Sequence, residues 1–317
     1  MEQNSSDRIT GADPSDVVDP ARVAKAISDV TDSMAQDVVQ RTGSGGDPPD
    51  VHAVAALNER LRWLAFPGFF GPRQHTPDAL QDHVGGLIND LSSRLLHLID
   101  QAFDHDSPVR DGAHARKSGQ VVMDFLDQVT EVRRKLLLDE QAAFGGDPAA
   151  QHIDEAILCH PGIRALAVHR FAHELHRLGV PLLPRMMSED AHSATGIDIH
   201  PGARIGEAFF IDHGSGVVIG ETAVVGDRCT IYQGVTLGAA NFERNPDGTI
   251  IRGMKRHPTL EDDVTIYAGA TILGGETIIG KGSIVNGGVF LTRSVPANSI
   301  VQGPRLEIHL RSREAQS

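Results

Sequence analysis

Along the C-terminal part of the chain, branched aliphatic residues recur at every sixth position. They stand at Ile199, Ile205 and Ile211; after a short slip they resume at Ile219, Val225, Ile231 and Leu237; they return at Ile266 and Ile272, and again at Ile279, Val285 and Leu291. Glycine often follows at once, as after Ile205, Ile219, Val225 and Ile279. This period matches neither an amphipathic helix nor the alternation of a half-buried strand. It fits a coil with flat sides, one inward aliphatic on each side. Tight turns of Gly, Asn or Asp, which tolerate positive φ, join one side to the next. Stacked triangular coils bury a column of Ile, Val and Leu and pair every backbone strand with the coil above. A series of hairpins is the alternative, and the absence of a period of two argues against it.

This hexapeptide period predicts a left-handed parallel β-helix over residues 191–304. The period fails between Ala240 and Pro258, where NFERNPDGTIIRGMKRHP is polar and carries no hexad, so residues 240–258 leave the prism as an inserted loop. An insertion at one corner of a solenoid commonly builds its functional face. After Leu291 the segment SVPANSIVQGPR ends the coils, and residues 305–317 read as a charged tail that caps the last open edge.

Upstream, residues 51–190 carry apolar positions at helical spacing, as at Leu80, Val84, Leu87, Leu91, Leu95 and Leu98, and at Phe125, Val129, Val132 and Leu136. Asp147 followed by Pro148 reads as an N-cap with proline at the first helical position, which predicts a helix start there. A further helix, Ile163 to Leu178, stops at Gly179 with Pro181 beyond. Residues 1–50, rich in Asp, Ser, Gly and Pro, read as a disordered extension with a short helix over Ala21 to Val39. The fold class is therefore α+β in two domains, an all-α domain followed by the β-helix.

With 317 residues, 40% of them hydrophobic, the chain can bury a core in each domain. A formal net charge of -13 argues against a nucleic-acid partner, since phosphates require a basic face. No apolar run is long enough to span a membrane, and the N-terminus lacks the basic and apolar regions of a secretory signal. With Cys159 and Cys229 as the only cysteines, a disulfide framework is not expected and a cytoplasmic setting is. Cys229 reads as a small buried hydrophobe rather than a nucleophile.

The stretch GIDIHPGARIGEAFFIDHGSGVVIGETAVVGDRCTIYQGVTLGA, followed by KRHPTLEDDVTIYAGATILGG, resembles serine O-acetyltransferases of the variety with a long helical N-terminal region. The resemblance runs from about Asp147 to Pro304 and rests on the order AspIleHisPro, IleAspHisGly, ArgHisPro. It implies an acetyl-CoA-dependent enzyme acting on L-serine, without a metal, that assembles as a trimer or a dimer of trimers with its active sites between adjacent prisms. It implies His213 as general base and Asp198 as the carboxylate that orients it. Asp147 and Asp212 would receive the substrate amine, Arg256 and His257 the substrate carboxylate, and Gly238, Ala239 and Ala268 the pantetheine arm. Inhibition by cysteine is a family-level expectation. The chain ends ArgGluAlaGlnSer rather than in isoleucine, so a complex with the partner sulfhydrylase is not expected.

The chemistry asks for these residue types. An alcohol attacking a thioester must lose a proton, and a neutral imidazole held by a carboxylate is suited to take it. A zwitterionic acceptor is held by carboxylates at its ammonium and a guanidinium at its carboxylate. Each residue also has a plainer reading: His213 as a turn residue, Asp147 as a helix cap, His192 and His200 as satisfied groups at the domain junction. His169, His173 and His176 share a helix face and read as solvated surface rather than as a metal face. Other functions for the same architecture remain open: an acyltransferase for phosphoserine or a sugar, a scaffold, or a γ-type carbonic anhydrase. The last would use histidines five apart, and no such pair occurs between 197 and 304.

Overall fold

The structure, a computed structural model, describes residues 20–41, 46–71, 76–106, 113–242 and 244–303. The tail at 305–317 lies outside them. Helices come first: α1 (Pro20–Arg41), α2 (Val51–Ala65), α3 (Pro77–Asp106), α4 (Ala113–Gly146), α5 (Asp154–Cys159), α6 (Pro161–Arg177) and α7 (Leu183–Thr195). α1 covers the helix expected over Ala21 to Val39. α6 packs against α2, α4 and α7 around a core that includes Leu61, Leu95, Phe125, Leu136, Leu166 and Phe171. It ends where Gly179, at φ 74°, donates to His176 O at 3.0 Å while Val180 donates to Leu175 O at 3.1 Å. That pair of bonds is the Schellman arrangement, satisfying carbonyls the helix leaves open.

Strands begin at Asp198. The first coil holds β1 (Asp198–Ile199), β2 (Arg204–Ile205) and β3 (Phe210–Asp212); the second holds β4 (Val218–Ile219), β5 (Val224–Val225) and β6 (Thr230–Tyr232). The third holds β7 (Thr236–Gly238), β8 (Thr259–Leu260) and β9 (Thr265–Ile266); the fourth β10 (Thr271–Leu273), β11 (Ile278–Ile279) and β12 (Ile284–Val285). β13 (Phe290–Leu291) and β14 (Ile300–Val301) belong to the last. All pairings are parallel and make three faces: β1-β4-β7-β10-β13, β2-β5-β8-β11, and β3-β6-β9-β12-β14.

The hexad positions stack as three columns. Ile199, Ile219, Leu237, Ile272 and Leu291 align on the first face, and Ile205, Val225, Leu260 and Ile279 on the second. Ile211, Ile231, Ile266, Val285 and Val301 align on the third. Strands of two or three residues have little stability alone. Burying each aliphatic contributes about 1.5–3 kcal/mol, which is what holds the coils in register. Leu260 joins its column although the inserted loop separates it from Leu237, because Val224 pairs with Thr259 directly across the excursion.

One corner runs through Gly196, Gly216, Gly234, Gly269 and Gly288, all with φ between 68° and 76°. Gly234 N donates to Ser215 O, and Gly269 N to Gln233 O, each at 2.9 Å. The slip between Ile211 and Ile219 lies at this corner and lengthens it by two residues, so that His213 and Gly214 also take left-handed φ of 56° and 81°.

Two expectations are corrected. No helix starts at Asp147: α4 runs on to Gly146, Asp147 Oδ1 accepts from Ala149 N at 2.8 Å as an Asx turn, and the next helix begins at Asp154. The cap signal is used for a turn because Gly146 lies against β3, where a Cβ would stand 2.6 Å from the Phe210 ring, and α4 ends on that contact. Nor are the histidines of α6 a solvated face. His176 is exposed, but His169 is buried and His173 half-buried, because the prism packs over that side of the helix.

A buried ion pair locks helices to prism. Arg170 reaches both oxygens of Asp139, at 2.6 and 2.7 Å, and donates to Gly206 O at 2.8 Å, while Asp139 Oδ1 accepts from Phe209 N at 3.0 Å. Burial raises the Asp139 carboxyl from its ordinary range, and Arg170 opposes that shift.

Candidate active site

Two groups of polar side chains stand out on the prism, at different corners. The first follows β3. His213, in a left-handed conformation that points its ring outward, is 73% exposed at the side chain, and its Nε2 lies 3.9 Å from Asp212 Oδ1. Phe210 and Asp212 project to the same side of β3, as residues two apart on a strand must. Against Phe210 lies the His160 ring, near-parallel at 6.3 Å between centroids, and His160 Nε2 meets Asp147 Oδ2 at 3.1 Å. Gly162 permits this approach of α6 to β3, since a Cβ there would stand 2.5 Å from Ile211 O. Asp147 and His160 thus form a pair beside the strand that carries Asp212 and His213. His160 carries no sequence signal of its own; it sits just before Pro161, where α6 starts, and only packing brings it to Asp147.

The second group sits at the corner between β4 and β5. Arg256 pairs with Glu221. Thr222 Oγ1 accepts from Arg256 N at 2.9 Å and His257 N at 3.0 Å, and Thr222 N donates to His257 Nδ1 at 3.1 Å. Lys255 Nζ donates to Thr222 O at 2.7 Å and Pro258 O at 3.2 Å, fixing the point where the inserted loop re-enters the prism. The His257 ring lies over Gly220, where a Cβ would come within 2.1 Å of it. Burial, reinforced by the neighbouring Arg256, pushes His257 down to about 4, so its imidazole is neutral near pH 7. With Nδ1 accepting, Nε2 carries the proton.

Asp198 lies on β1, one coil before Val218. Its carboxylate is 4.0 Å from Arg185, and no hydrogen bond joins it to His213 among the described residues. Asp198, Glu189 and His192 offer ligand atoms within 4.8 Å of one another, but Arg185 already lies against Glu189 and Asp198. A guanidinium among these oxygens competes with any cation. His200 is pushed down to about 4, first by burial, and accepts from Gly202 N at 3.0 Å, a satisfied group as expected. Gly238 and Ala239 lie where the chain leaves β7 for the inserted loop, and Ala268 at the glycine-lined corner, its carbonyl accepting from Gly288 N at 2.9 Å. Cys229 is buried, its thiol raised to about 11 by burial, which removes it as a nucleophile.

A left-handed hexapeptide prism with an exposed corner histidine next to carboxylates, and an arginine and neutral histidine held at a second corner, defines a hexapeptide-repeat acyltransferase. No protein-family model matches the chain. Known proteins do. The plasmid serine acetyltransferase of Synechococcus elongatus is 47% identical over 262 residues, covering 80% of this chain and 81% of that protein. The crystal structure of Entamoeba histolytica serine acetyltransferase 1 in complex with L-cysteine is 37% identical, with a TM-score of 0.69 over 83% of this chain and 90% of that one. Serine acetyltransferase of Brucella abortus strain S19, in complex with coenzyme A, is 28% identical with a TM-score of 0.52, covering 80% and 92%. The chain belongs to the serine acetyltransferase family. It transfers the acetyl group of acetyl-CoA to the hydroxyl of L-serine, giving O-acetyl-L-serine and CoA, the first step of cysteine biosynthesis.

Proposed function

We propose that the two corner groups form one active site only when two copies of the chain meet, His213, Asp212 and the Asp147–His160 pair coming from one chain and Arg256 with His257 from its neighbour. The observation that carries this is their separation: within one chain the first group follows the third face of the prism and the second follows the first face. Serine then lies in the cleft with its ammonium on Asp147 and Asp212 and its carboxylate on Arg256 and the Nε2–H of His257. A bidentate guanidinium and a neutral imidazole donor both suit a carboxylate.

His213 takes the hydroxyl proton as the serine oxygen attacks the thioester carbonyl. The tetrahedral intermediate collapses with loss of the CoA thiolate, and the imidazolium returns the proton to sulfur. Asp198 is assigned as the carboxylate that orients His213 and stabilises the imidazolium, which requires its side chain to leave Arg185 when substrate binds. The pantetheine arm runs along Gly238, Ala239 and Ala268, where small residues let it lie close to the coils. The thioester is already activated, so no step asks for a metal. Residues 51–190 serve as the helical domain and 191–304 as the catalytic domain, in a cytoplasmic trimer or dimer of trimers. Cysteine, which shares the zwitterion of serine and occupies the Entamoeba relative, competes for the same clamp.

The test is subunit mixing. His213→Ala and Arg256→Ala are each expected to lose serine turnover by at least about a hundredfold, the lower end of what a general base contributes. Co-refolded in equal amounts, they are expected to recover activity at about a quarter of the sites, since a quarter of the clefts in a closed ring combine two intact halves. Inactive mixed assemblies would remove the shared-site reading.

A further inference from the structure

The inserted loop returns to the prism through Lys255, Arg256 and His257, and this segment is gripped from both neighbouring coils. On the side of the second coil, Thr222 Oγ1 accepts the N–H groups of Arg256 and His257, and the His257 ring lies over Gly220. On the side of the fourth coil lies Gly275, where a Cβ would stand 2.3 Å from Lys255 O and 3.0 Å from Arg256 N. Any side chain there would push the segment outward. The main-chain donors of Arg256 and His257 are thus answered by a hydroxyl. The carbonyls at the loop root are held by a different group.

That group is the Lys255 ammonium. Lys255 is an exposed residue, yet its Nζ turns back onto the chain and donates to Thr222 O at 2.7 Å, to Pro258 O at 3.2 Å and to His257 O. A lysine ammonium has three protons and no acceptor, so three carbonyls use it completely. None is left for a substrate carboxylate, although Lys255 is the neighbour of Arg256 in the chain. The bond from Lys255 to His257 O closes a ring over the residue between them, and Arg256 stands at its apex. Pro258 O also accepts from Val224 N at 3.2 Å, where the ladder resumes after the insertion. One side chain therefore ties the corner of the second coil to the two residues that follow Arg256.

We infer that Lys255 is a positioning residue for the reaction: by closing the segment Lys255–His257 onto Thr222, its ammonium aims the Arg256 guanidinium and the Nε2–H of His257 at the substrate carboxylate. The inference rests on the reading that Arg256 and His257 receive that carboxylate. In this role Lys255 meets no reacting atom and acts through its two neighbours. Arginine does not replace it, because a planar fork cannot converge on three carbonyls from a single nitrogen. An uncharged side chain of similar length withdraws the donor from all three carbonyls and lets the loop root open.

The test compares L-serine with L-serinamide, which lacks the carboxylate, in the full chain at saturating acetyl-CoA. In Lys255→Met the KM for serine is expected to rise at least about tenfold, the order of one charged hydrogen bond, with kcat changed far less. Turnover of serinamide should hardly change, so the preference for serine over serinamide collapses. Lys255→Arg should resemble Lys255→Met. Lys255→Cys alkylated with 2-bromoethylamine, which restores an ammonium at nearly the reach of lysine, should recover the preference; the parent treated in the same way controls for the exposed Cys159. Gly275→Ala should raise the KM for serine in the same direction, by displacing the segment from its other side. An equal loss with both substrates, a rise in KM for acetyl-CoA alone, or an unchanged KM for serine in Lys255→Met overturns the proposal. A preference lost in Arg256→Ala but kept in Lys255→Met overturns it alone, whereas a preference kept in both overturns the carboxylate reading beneath it as well.

Discussion

Thr222 donates its backbone N–H to Nδ1 of His257 at 3.1 Å while its hydroxyl oxygen accepts the backbone N–H of the same histidine at 3.0 Å. One residue of a prism corner thereby fixes both the tautomer of the imidazole and the path of the chain as the inserted loop returns. The same hydroxyl oxygen accepts from Arg256 N at 2.9 Å, so the backbone of both Arg256 and His257 hangs on Thr222.

Thr222→Ala is therefore expected to act on substrate binding. Its backbone N–H survives, but the N–H groups of Arg256 and His257 lose their acceptor, at about 1–3 kcal/mol for an unmet buried group. KM for serine should rise roughly tenfold or more, with kcat reduced far less. Steady-state kinetics with serine varied at saturating acetyl-CoA reads the split. A kcat loss with unchanged KM would contradict the role.

His160 has a separate expectation. It holds Asp147 Oδ2 at 3.1 Å and stacks near Phe210. His160→Phe keeps the stacking and removes the polar contact, so Asp147 loses its orientation. KM for serine should rise several-fold to tenfold, in the same direction as for Asp147→Asn, and the double variant should cost less than the sum because the two residues act as a unit.

Stability should fall as the solution is acidified. His257 and His200 titrate near 4 in the folded chain, against about 6.5 when unfolded, in both cases chiefly through burial. The unfolded chain therefore takes up these protons first. Their contribution is whole above about pH 6.5 and is lost as pH falls towards 4. Urea midpoints measured from pH 7.5 to 4.5 should decline, and His257→Gln should flatten the decline relative to the parent.

The Asp139–Arg170 pair should matter for assembly of the fold rather than for catalysis. Arg170→Met leaves a buried carboxylate facing no cation, a change that typically costs 3–5 kcal/mol. Tm should drop by many degrees. Replacing both partners with apolar residues of similar size should recover much of the loss.

The prism was readable because its rule is local. One aliphatic per flat side and a turn residue after it are properties of short segments, so Ile199 through Leu291 announce the coils. The slip at His213 marks a corner that departs from the hexad. Leu260 and Val301 sit on the same columns yet escape the count, because the inserted loop and the last turn interrupt the phase that identifies them. The helices carrying Leu80 to Leu98 and Phe125 to Leu136 followed from apolar spacing, and the stop at Gly179 from the glycine and the proline beyond it.

What faces the polar side of a helix is not written in its period. His169 and His173 look like surface from the spacing of α6, and they are covered because the prism packs on that side. Asp147 carries a cap signal, but its partner is His160, brought there by the approach of α6 to β3. The residue types and the coil rule came from sequence, since both depend on neighbours along the chain. Only the tertiary structure decided that Thr222 holds His257, that Asp139 holds Arg170, and that the two groups of candidate residues stand at separate corners. Those relations join positions far apart in sequence, and packing alone brings them together.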